Sequence, residues 1–144
     1  RMLMQAVQIY RQTFRPSQQL AAPYVAIGVP LVAAPSDEEA TYLASSTHQR
    51  VLGILTGRRG QLPPPVENFL SSLDSGAQAA IADFLAAAVI GGPDTVRAGL
   101  QQLAALTQAN ELVLVSDVYD AESRRRSLDI AAAAARELNA AVAQ

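Results

Sequence analysis

The chain has 144 residues, half of them apolar and 17% charged, with a net charge of −2, which is the composition of a folded globular domain and not of a disordered chain. Cysteine is absent, which excludes disulfides and thiolate metal sites, and His48 is the single histidine, which argues against a histidine-ligated metal centre. The charge balance gives no basic footprint for nucleic acid, and no apolar run or signal-peptide pattern indicates a membrane segment or export, so we expect a soluble cytoplasmic protein.

The first predicted element is a helix over residues 1–14. Leu3, Val7, Tyr10 and Phe14 recur there at helical spacing. The chain begins inside this helix with no cap before it, so we expect it to be a piece of something longer.

A strand and a second helix follow. Residues 23–34 read PYVAIGVPLVAA, and such a nearly continuous apolar run is typical of a parallel strand buried on both faces. Pro30 has no N–H to donate, so we expect a bulge or a strand end there. Ser36 and Glu39 form a capping-box pattern that opens a helix running to about Leu55.

Residues 57–73 break the regular pattern. They contain Gly-Arg-Arg-Gly and then three consecutive prolines, which favour an extended polyproline conformation. A loop of this length inside a compact domain is typically a functional lid or a mobile connection, and we predict one of these two.

The rest of the chain alternates between helices and short apolar strands. Ser75 and Gln78 form a second capping box, and Pro93 suits the first position of a later helix. The short apolar run over residues 86–90 is interpreted as a strand, although its pattern alone also allows a helix. Residues 112–115, Leu-Val-Leu-Val, are the clearest buried strand, after which Asp120 can cap the last helix.

This alternation predicts parallel βαβ units and an α/β fold. A parallel sheet of three apolar strands has two open edges, which makes it hard to keep soluble alone. We therefore expect a missing partner, which is either more of the same chain or a second copy.

Several short motifs follow one another in an order that resembles a known family. They are Tyr10-Arg11, Phe14-Arg15-Pro16-Ser17, Pro23-Tyr24-Val25, Asp37-Glu38-Glu39-Ala40, Leu62-Pro63-Pro64-Pro65, Gly91 to Leu100, Asn110-Glu111-Leu112 and Ser116 to Asp120. Together they resemble the C-terminal part of the bacterial luciferase-like flavin-dependent monooxygenases. The family fold is a (β/α)8 barrel, which needs about 250 residues. The resemblance thus implies that residues 1–144 form one incomplete barrel domain, with the last three parallel strands and their flanking helices.

The resemblance also implies an oxidoreductase that uses reduced FMN and O2 to oxidise a small organic substrate, with a flavin reductase as a possible partner. The main phosphate contacts and the catalytic residues would lie in the missing half, so the fragment alone would be inactive. One alternative is a truncated, non-catalytic half-barrel that dimerises, with a structural or weak flavin-binding role. Another is a generic α/β domain with a different ligand, and a deazaflavin in place of FMN is also left open.

The resemblance places candidate flavin contacts after two strands. Gly91, Gly92 and Asp94 end a strand and open a helix, so their free N–H groups would face flavin or an anion, although a plain tight turn explains them equally well. The family usually has Ser or Thr in place of Gly92. Ser116 and Asp117 would contact flavin after the last strand, with helix capping and solvation as the alternative.

The remaining candidates are substrate or lid residues. Residues 57–73 stand where the luciferases carry a mobile loop over the active site. Arg58 and Arg59 in it would meet a flavin phosphate or a substrate anion, although paired arginines on loops are usually only solvated. Tyr119 is a further candidate in this group, whereas His48 is expected to be structural or on the surface, and no metal site is predicted.

Overall fold

The structure is a computed structural model that describes residues 2–142, without the side chain of residue 142. Helices and strands alternate as the sequence predicts. In chain order they are α1 (Met2–Thr13), β1 (Ala26–Ala33), α2 (Asp37–Leu55), a 3-10 turn (Leu70–Ser72), α3 (Ser75–Phe84), β2 (Val89–Gly91), α4 (Pro93–Thr107), β3 (Glu111–Val115) and α5 (Ala121–Val142). The strand predicted over residues 86–90 is shorter and later, because the turn that ends α3 extends to its first residues.

The three strands form one parallel sheet in the order β2-β1-β3. The first half of β1, Ala26 to Pro30, pairs with β3, and the second half, Leu31 to Ala33, pairs with β2. Consecutive strands of a barrel are neighbours, which would place β2 between β1 and β3. The parallel sheet with flanking helices is therefore confirmed, whereas the barrel order is not, since β1 and not the three-residue β2 is the central strand.

Pro30 neither ends β1 nor introduces a bulge, which corrects our expectation. The N–H of Ala34 donates to the carbonyl of Gly91, and successive residues of a strand alternate between its edges. The nitrogen of Pro30 therefore faces the edge of β2, where pairing begins only at Leu31. The missing N–H of Pro30 therefore removes no hydrogen bond from the sheet, because β2 has no residue opposite it.

Helices cover both faces of the sheet. On one face Leu31 packs in a core cluster with Leu100 of α4 and residues of α5, and on the other face Val32 packs with Leu43 of α2. Neighbouring residues of a strand point to opposite faces, so α2 lies opposite α4 and α5. This is a doubly wound arrangement, with helices on both faces of one parallel sheet. It arises because the last residues of β1 are apolar on both faces, so helices must shield both faces from water.

Part of the second face stays open. Ala26 and Gly28 of β1 are exposed, and beside them Val113 and Val115 of β3 are 47% and 48% exposed. The outer edges of β2 and β3 pair with no other strand among residues 2–142. The expected open edges are thus present, together with an open patch that we call the open sheet face: Ala26, Gly28, Val113 and Val115.

The helix caps follow the sequence signals with one correction. Ser36 and Asp120 cap α2 and α5 as predicted. Helix α3 is capped by Asp74, whose carboxylate accepts a hydrogen bond from the N–H of Ala77 at 2.9 Å, and not by Ser75. A carboxylate one residue earlier is as good an acceptor as a hydroxyl, and the helix begins after it.

No helix in the described part of the chain is long and apolar enough to span a bilayer.

Candidate functional site

The carboxyl ends of the three strands lie at the same edge of the sheet, because the strands are parallel. Gly91 ends β2 there with Gly92 next to it, and Ser116 and Asp117 follow β3. Asp37, the first residue of α2, lies at this edge after β1. Ligands of open α/β sheets bind outside this edge, so the fold brings the predicted flavin contacts to the part of the sheet that suits binding.

Asp37 connects the loops that follow β1 and β2. Its Oδ1 accepts a hydrogen bond from the N–H of Gly92 at 2.6 Å, and its Oδ2 accepts one from the hydroxyl of Thr95 at 3.1 Å. These two bonds, the backbone one first, hold the pKa of Asp37 below its ordinary value. Gly92 is the residue that precedes α4 and has no side chain to cap it, so the carboxylate of Asp37 supplies the negative group that the helix N-terminus favours.

The two glycines of this turn have different reasons to be glycine. A Cβ on Gly91 would lie 2.4 Å from the Cγ2 of Thr95 and 2.7 Å from the Oδ1 of Asp37, so no side chain fits. At Gly92 the nearest atoms would be 3.5 Å away, which is ordinary contact. Close packing therefore requires glycine at position 91 and not at position 92. Asp94 points outward and pairs with Arg97 at 3.0 Å.

Ser116 belongs to a buried chain of hydrogen bonds. Its hydroxyl lies 3.1 Å from the hydroxyl of Ser127 on α5, and the Oγ of Ser127 accepts a hydrogen bond from the N–H of Ala33 at 2.8 Å. Ser127 is completely buried. The pairing of β1 with β3 ends at Val115, so β3 offers no carbonyl to the N–H of Ala33. The hydroxyl of Ser127, which Ser116 contacts, accepts this hydrogen bond instead.

Asp117 forms an ion pair with Arg50 of α2, whose side chain is 37% exposed against 31% for the aspartate. The hydroxyl of Thr47 donates to the carbonyl of Asp117 at 3.1 Å. Both contacts bind the loop after β3 to α2. Tyr119, two residues further, is 52% exposed.

The segment 57–73 lies against α2. The N–H of Val66 donates to the Oγ of Ser45 at 2.7 Å, and the side-chain amide of Gln49 donates to the carbonyl of Pro64 at 2.9 Å. Arg58 and Arg59 are exposed beyond the end of α2. This helix of 19 residues is about 28 Å long, so it separates both arginines from Asp37 at its start. The structure does not bring them to the other predicted residues, and the lid role stays a prediction.

Several polar groups at this edge of the sheet are already paired within the chain. A phosphate needs free N–H donors or a cation. Among residues 2–142 the N–H of Gly92 is bonded to Asp37 and the hydroxyl of Ser116 is bonded to Ser127, whereas Arg50 pairs with Asp117 through one Nη and keeps a buried Nε without a partner. The same part of the chain contains no group of three or more His, Asp or Glu side chains that could hold a metal ion.

Local sequence patterns did not indicate the partners of these groups, which are Asp37, Arg50 and Ser127. Asp37 and Gly92 are 55 residues apart, and Ala33 and Ser127 are 94 residues apart. Only Asp37 carried a signal, as an acidic residue in the first turn of a helix, and that signal concerned its own helix alone.

Comparison with known proteins decides the family. Over 137 residues, or 95% of this chain, the sequence is 32% identical to the luciferase-like monooxygenase of Escherichia coli (strain K12) and covers 41% of that protein. The chain belongs to the luciferase-like monooxygenase family. This confirms the resemblance that the ordered motifs indicated.

Two further comparisons extend to other proteins. The uncharacterized protein YvbT of Bacillus subtilis (strain 168) is 36% identical over 127 residues, which are 88% of this chain and 38% of YvbT. The solved structure of apo-MsnO8 superposes with a TM-score of 0.72 at 27% identity, over 94% of this chain and 42% of that one. No protein-family model matches the chain. The luciferase-like chain therefore spans about two fifths of the length of the relatives it matches.

Proposed function

We propose that this chain is the C-terminal part of a flavin-dependent monooxygenase that uses reduced FMN and O2 to oxidise a small organic molecule. The observation that carries the proposal is the 32% identity to a luciferase-like monooxygenase over 95% of this chain. Because the chain spans 41% of that relative, the remaining polypeptide would cover the open edges of the sheet and complete the active site.

Bound reduced flavin would carry out the chemistry with O2. The protein would orient the flavin and the substrate and would exclude water from them. The part of this chain that suits such a role is the open sheet face. Its side chains are small or apolar, and Val115 lies next to the carboxyl edge. An apolar wall excludes water from one side of a pocket, which protects a reactive cofactor from side reactions.

The phosphate of the flavin would be held by residues outside this chain. This part of the proposal rests on the internal pairing of the Gly92 N–H with Asp37 and of one Nη of Arg50 with Asp117, which leaves few donors at this edge for an anion. The chain alone would then bind FMN weakly and would not turn over. The partners of the complete protein would be the organic substrate, O2 and a reductase that regenerates the flavin.

The test compares the chain alone with the chain joined to the portion of the E. coli relative that lies outside the match. FMN is titrated into each protein and the quenching of flavin fluorescence is followed, with O2 consumption measured after chemical reduction of the flavin. We expect saturable quenching and O2 consumption from the joined protein alone. A folded joined protein that leaves FMN fluorescence unchanged would refute the proposal, and equal FMN affinity of the chain alone would refute the external phosphate site.

A second candidate is a non-catalytic half-barrel in which a second copy covers the open sheet face. The observation in its favour is the exposure of Val113 and Val115, at 47% and 48%, beside an unpaired strand edge. Sedimentation velocity of the chain distinguishes the two candidates. This candidate requires a dimer that Val113→Asp converts to a folded monomer, and a monomer at all concentrations contradicts it.

A further inference from the structure

A cleft that the sequence did not indicate lies between α2, the segment 66–71 and α3. It consists of two cavities of about 500 and 690 Å³ that share His48 and Leu70 as lining residues. We call it the His48 cleft. Its inner wall is apolar, with Ile81 of α3, Leu85 directly after that helix and Ile90 of β2, and its outer part carries the carboxylates of Glu38 and Glu67.

His48 lies at the junction of the two cavities and is 6% exposed, so it is buried and not on the surface, which leaves the structural role of the two that were expected. Its ring nitrogens make no hydrogen bond to any residue in the range 2–142, and neither is sealed away from solvent. Burial lowers the pKa of His48 below its ordinary value of 6.5, so the ring is neutral at neutral pH and offers one donor and one acceptor to the cleft. Because the ring nitrogens have no protein partner and are open to the cavities, a ligand in the cleft can hydrogen-bond to them.

The outer part of the cleft is acidic. Glu38 and Glu67 line it together with Asp37, and no arginine is among the lining residues of either cavity. Neither Glu38 nor Glu67 takes part in an ion pair within the described residues. Tyr42 and Phe69 line the same part, and aromatic faces attract cations.

We propose that the His48 cleft binds a small organic amine with an apolar body. The apolar body lies against Leu70 and Ile81, the ammonium group lies among the carboxylates of Glu38 and Glu67, and the imidazole of His48 hydrogen-bonds to the ligand. The carboxylates repel an anion of the same shape. The proposal stands on the cleft and not on flavin binding, so the two proposals fail independently.

The test uses the full chain at neutral pH and three probes of one shape: 2-phenylethylamine, 2-phenylethanol and phenylacetate. Because His48 is the single histidine, its imidazole signals in an NMR spectrum are assigned without ambiguity. We expect 2-phenylethylamine to shift these signals saturably, and to bind at least about tenfold more tightly than phenylacetate. Absence of a shift with 2-phenylethylamine at millimolar concentration, or equal affinity for phenylacetate, would overturn the proposal.

Two exposed glutamates provide matched variants. Glu67→Gln removes a charge that lines the cleft and should weaken 2-phenylethylamine about threefold without changing 2-phenylethanol. Glu122→Gln on α5 removes an exposed charge that lines neither cavity and should change neither probe. If both variants weakened 2-phenylethylamine equally, only the net charge of the protein would affect its affinity. That result would refute the proposed site. Thermal unfolding of each variant confirms that it is folded before the titration.

Discussion

Asp37 and Gly92 join the first turns of two helices on opposite faces of the sheet. Asp37 is the first residue of α2, and its Oδ1 accepts the N–H of Gly92, the residue before α4, at 2.6 Å. One carboxylate therefore serves the positive ends of two helices. This contact occupies the N–H of Gly92, one of the candidate flavin contacts, and the role of that turn in binding stays a prediction.

Replacing Asp37 by alanine should lower the free energy of unfolding, because the N–H of Gly92 and the hydroxyl of Thr95 lose their acceptor. Asp37→Asn should have a smaller effect, since the amide oxygen still accepts one bond. The control is Glu38→Ala, which removes an acid from the same helical turn without a cross-link to α4. Urea denaturation measures all three, and equal losses for the two alanine variants would show that the contact contributes nothing.

Stability should fall in acid through Asp37 and Asp120. Hydrogen bonds from the N–H of Gly92 to Asp37, and from the N–H and hydroxyl of Ser123 to Asp120, hold both pKa values below the ordinary 3.8. As the pH falls through 3.8, the unfolded chain therefore takes up protons before the folded one. The contribution of both groups is full above this pH and is lost towards the lower folded pKa. Denaturation at a series of pH values should show a flatter acid limb for the Asp37→Asn, Asp120→Asn double variant, and an unchanged limb would contradict the assignment.

The neighbouring glycines should respond differently to substitution. Gly91→Ala places a Cβ 2.4 Å from the Cγ2 of Thr95 and should cost about 1–3 kcal/mol of unfolding free energy through overpacking. Gly92→Ser has room, an ordinary extended backbone and a hydroxyl suited to the helix start, so it should stay within about 0.5 kcal/mol of wild type. Chemical denaturation of the two variants is the measurement, and similar losses at both positions would refute the packing argument.

Ser127→Ala should destabilise the protein by about 1–3 kcal/mol, because it leaves the buried N–H of Ala33 without an acceptor. Ser116→Ala keeps that acceptor and should cost less. Amide hydrogen exchange at Ala33 provides a local readout. Protection of this amide should be lost in Ser127→Ala and kept in Ser116→Ala, and the reverse pattern would contradict the proposed chain of hydrogen bonds.

The ion pair between Arg50 and Asp117 should contribute a coupling of about 0.5–1 kcal/mol, since both side chains are about one third exposed. A double-mutant cycle with Arg50→Gln and Asp117→Asn, measured by urea denaturation, isolates the pair. A coupling of zero would contradict a stabilising pair between Arg50 and Asp117.

Local sequence patterns were sufficient for the elements and for the family. Helix α2 and its cap at Ser36 depend on neighbouring residues, and so does the apolar run of β3. The parallel direction followed from the alternation of helices and strands. The ordered motifs, each weak alone, indicated the family that the relative from E. coli confirms. Where two acceptors competed, as at Asp74 and Ser75, the local pattern was wrong by one residue.

The sequence alone determined which segments form helices and strands and to which family they belong, because those properties depend on residues a few positions apart. Only the tertiary structure decided that β3 lies beside β1, and that Asp37, Ser127 and Arg50 occupy the groups predicted to meet flavin. The contacts of Asp37 with Gly92 and of Arg50 with Asp117 join residues 55 and 67 positions apart, and that of Ser127 with Ser116 joins the start of α5 to the end of β3 across 11 positions. The residues that flank Asp37, Arg50 or Ser127 in the sequence do not indicate which group each of them contacts. These contacts form because α2 packs on one face of β1 while α4 and α5 pack on the other.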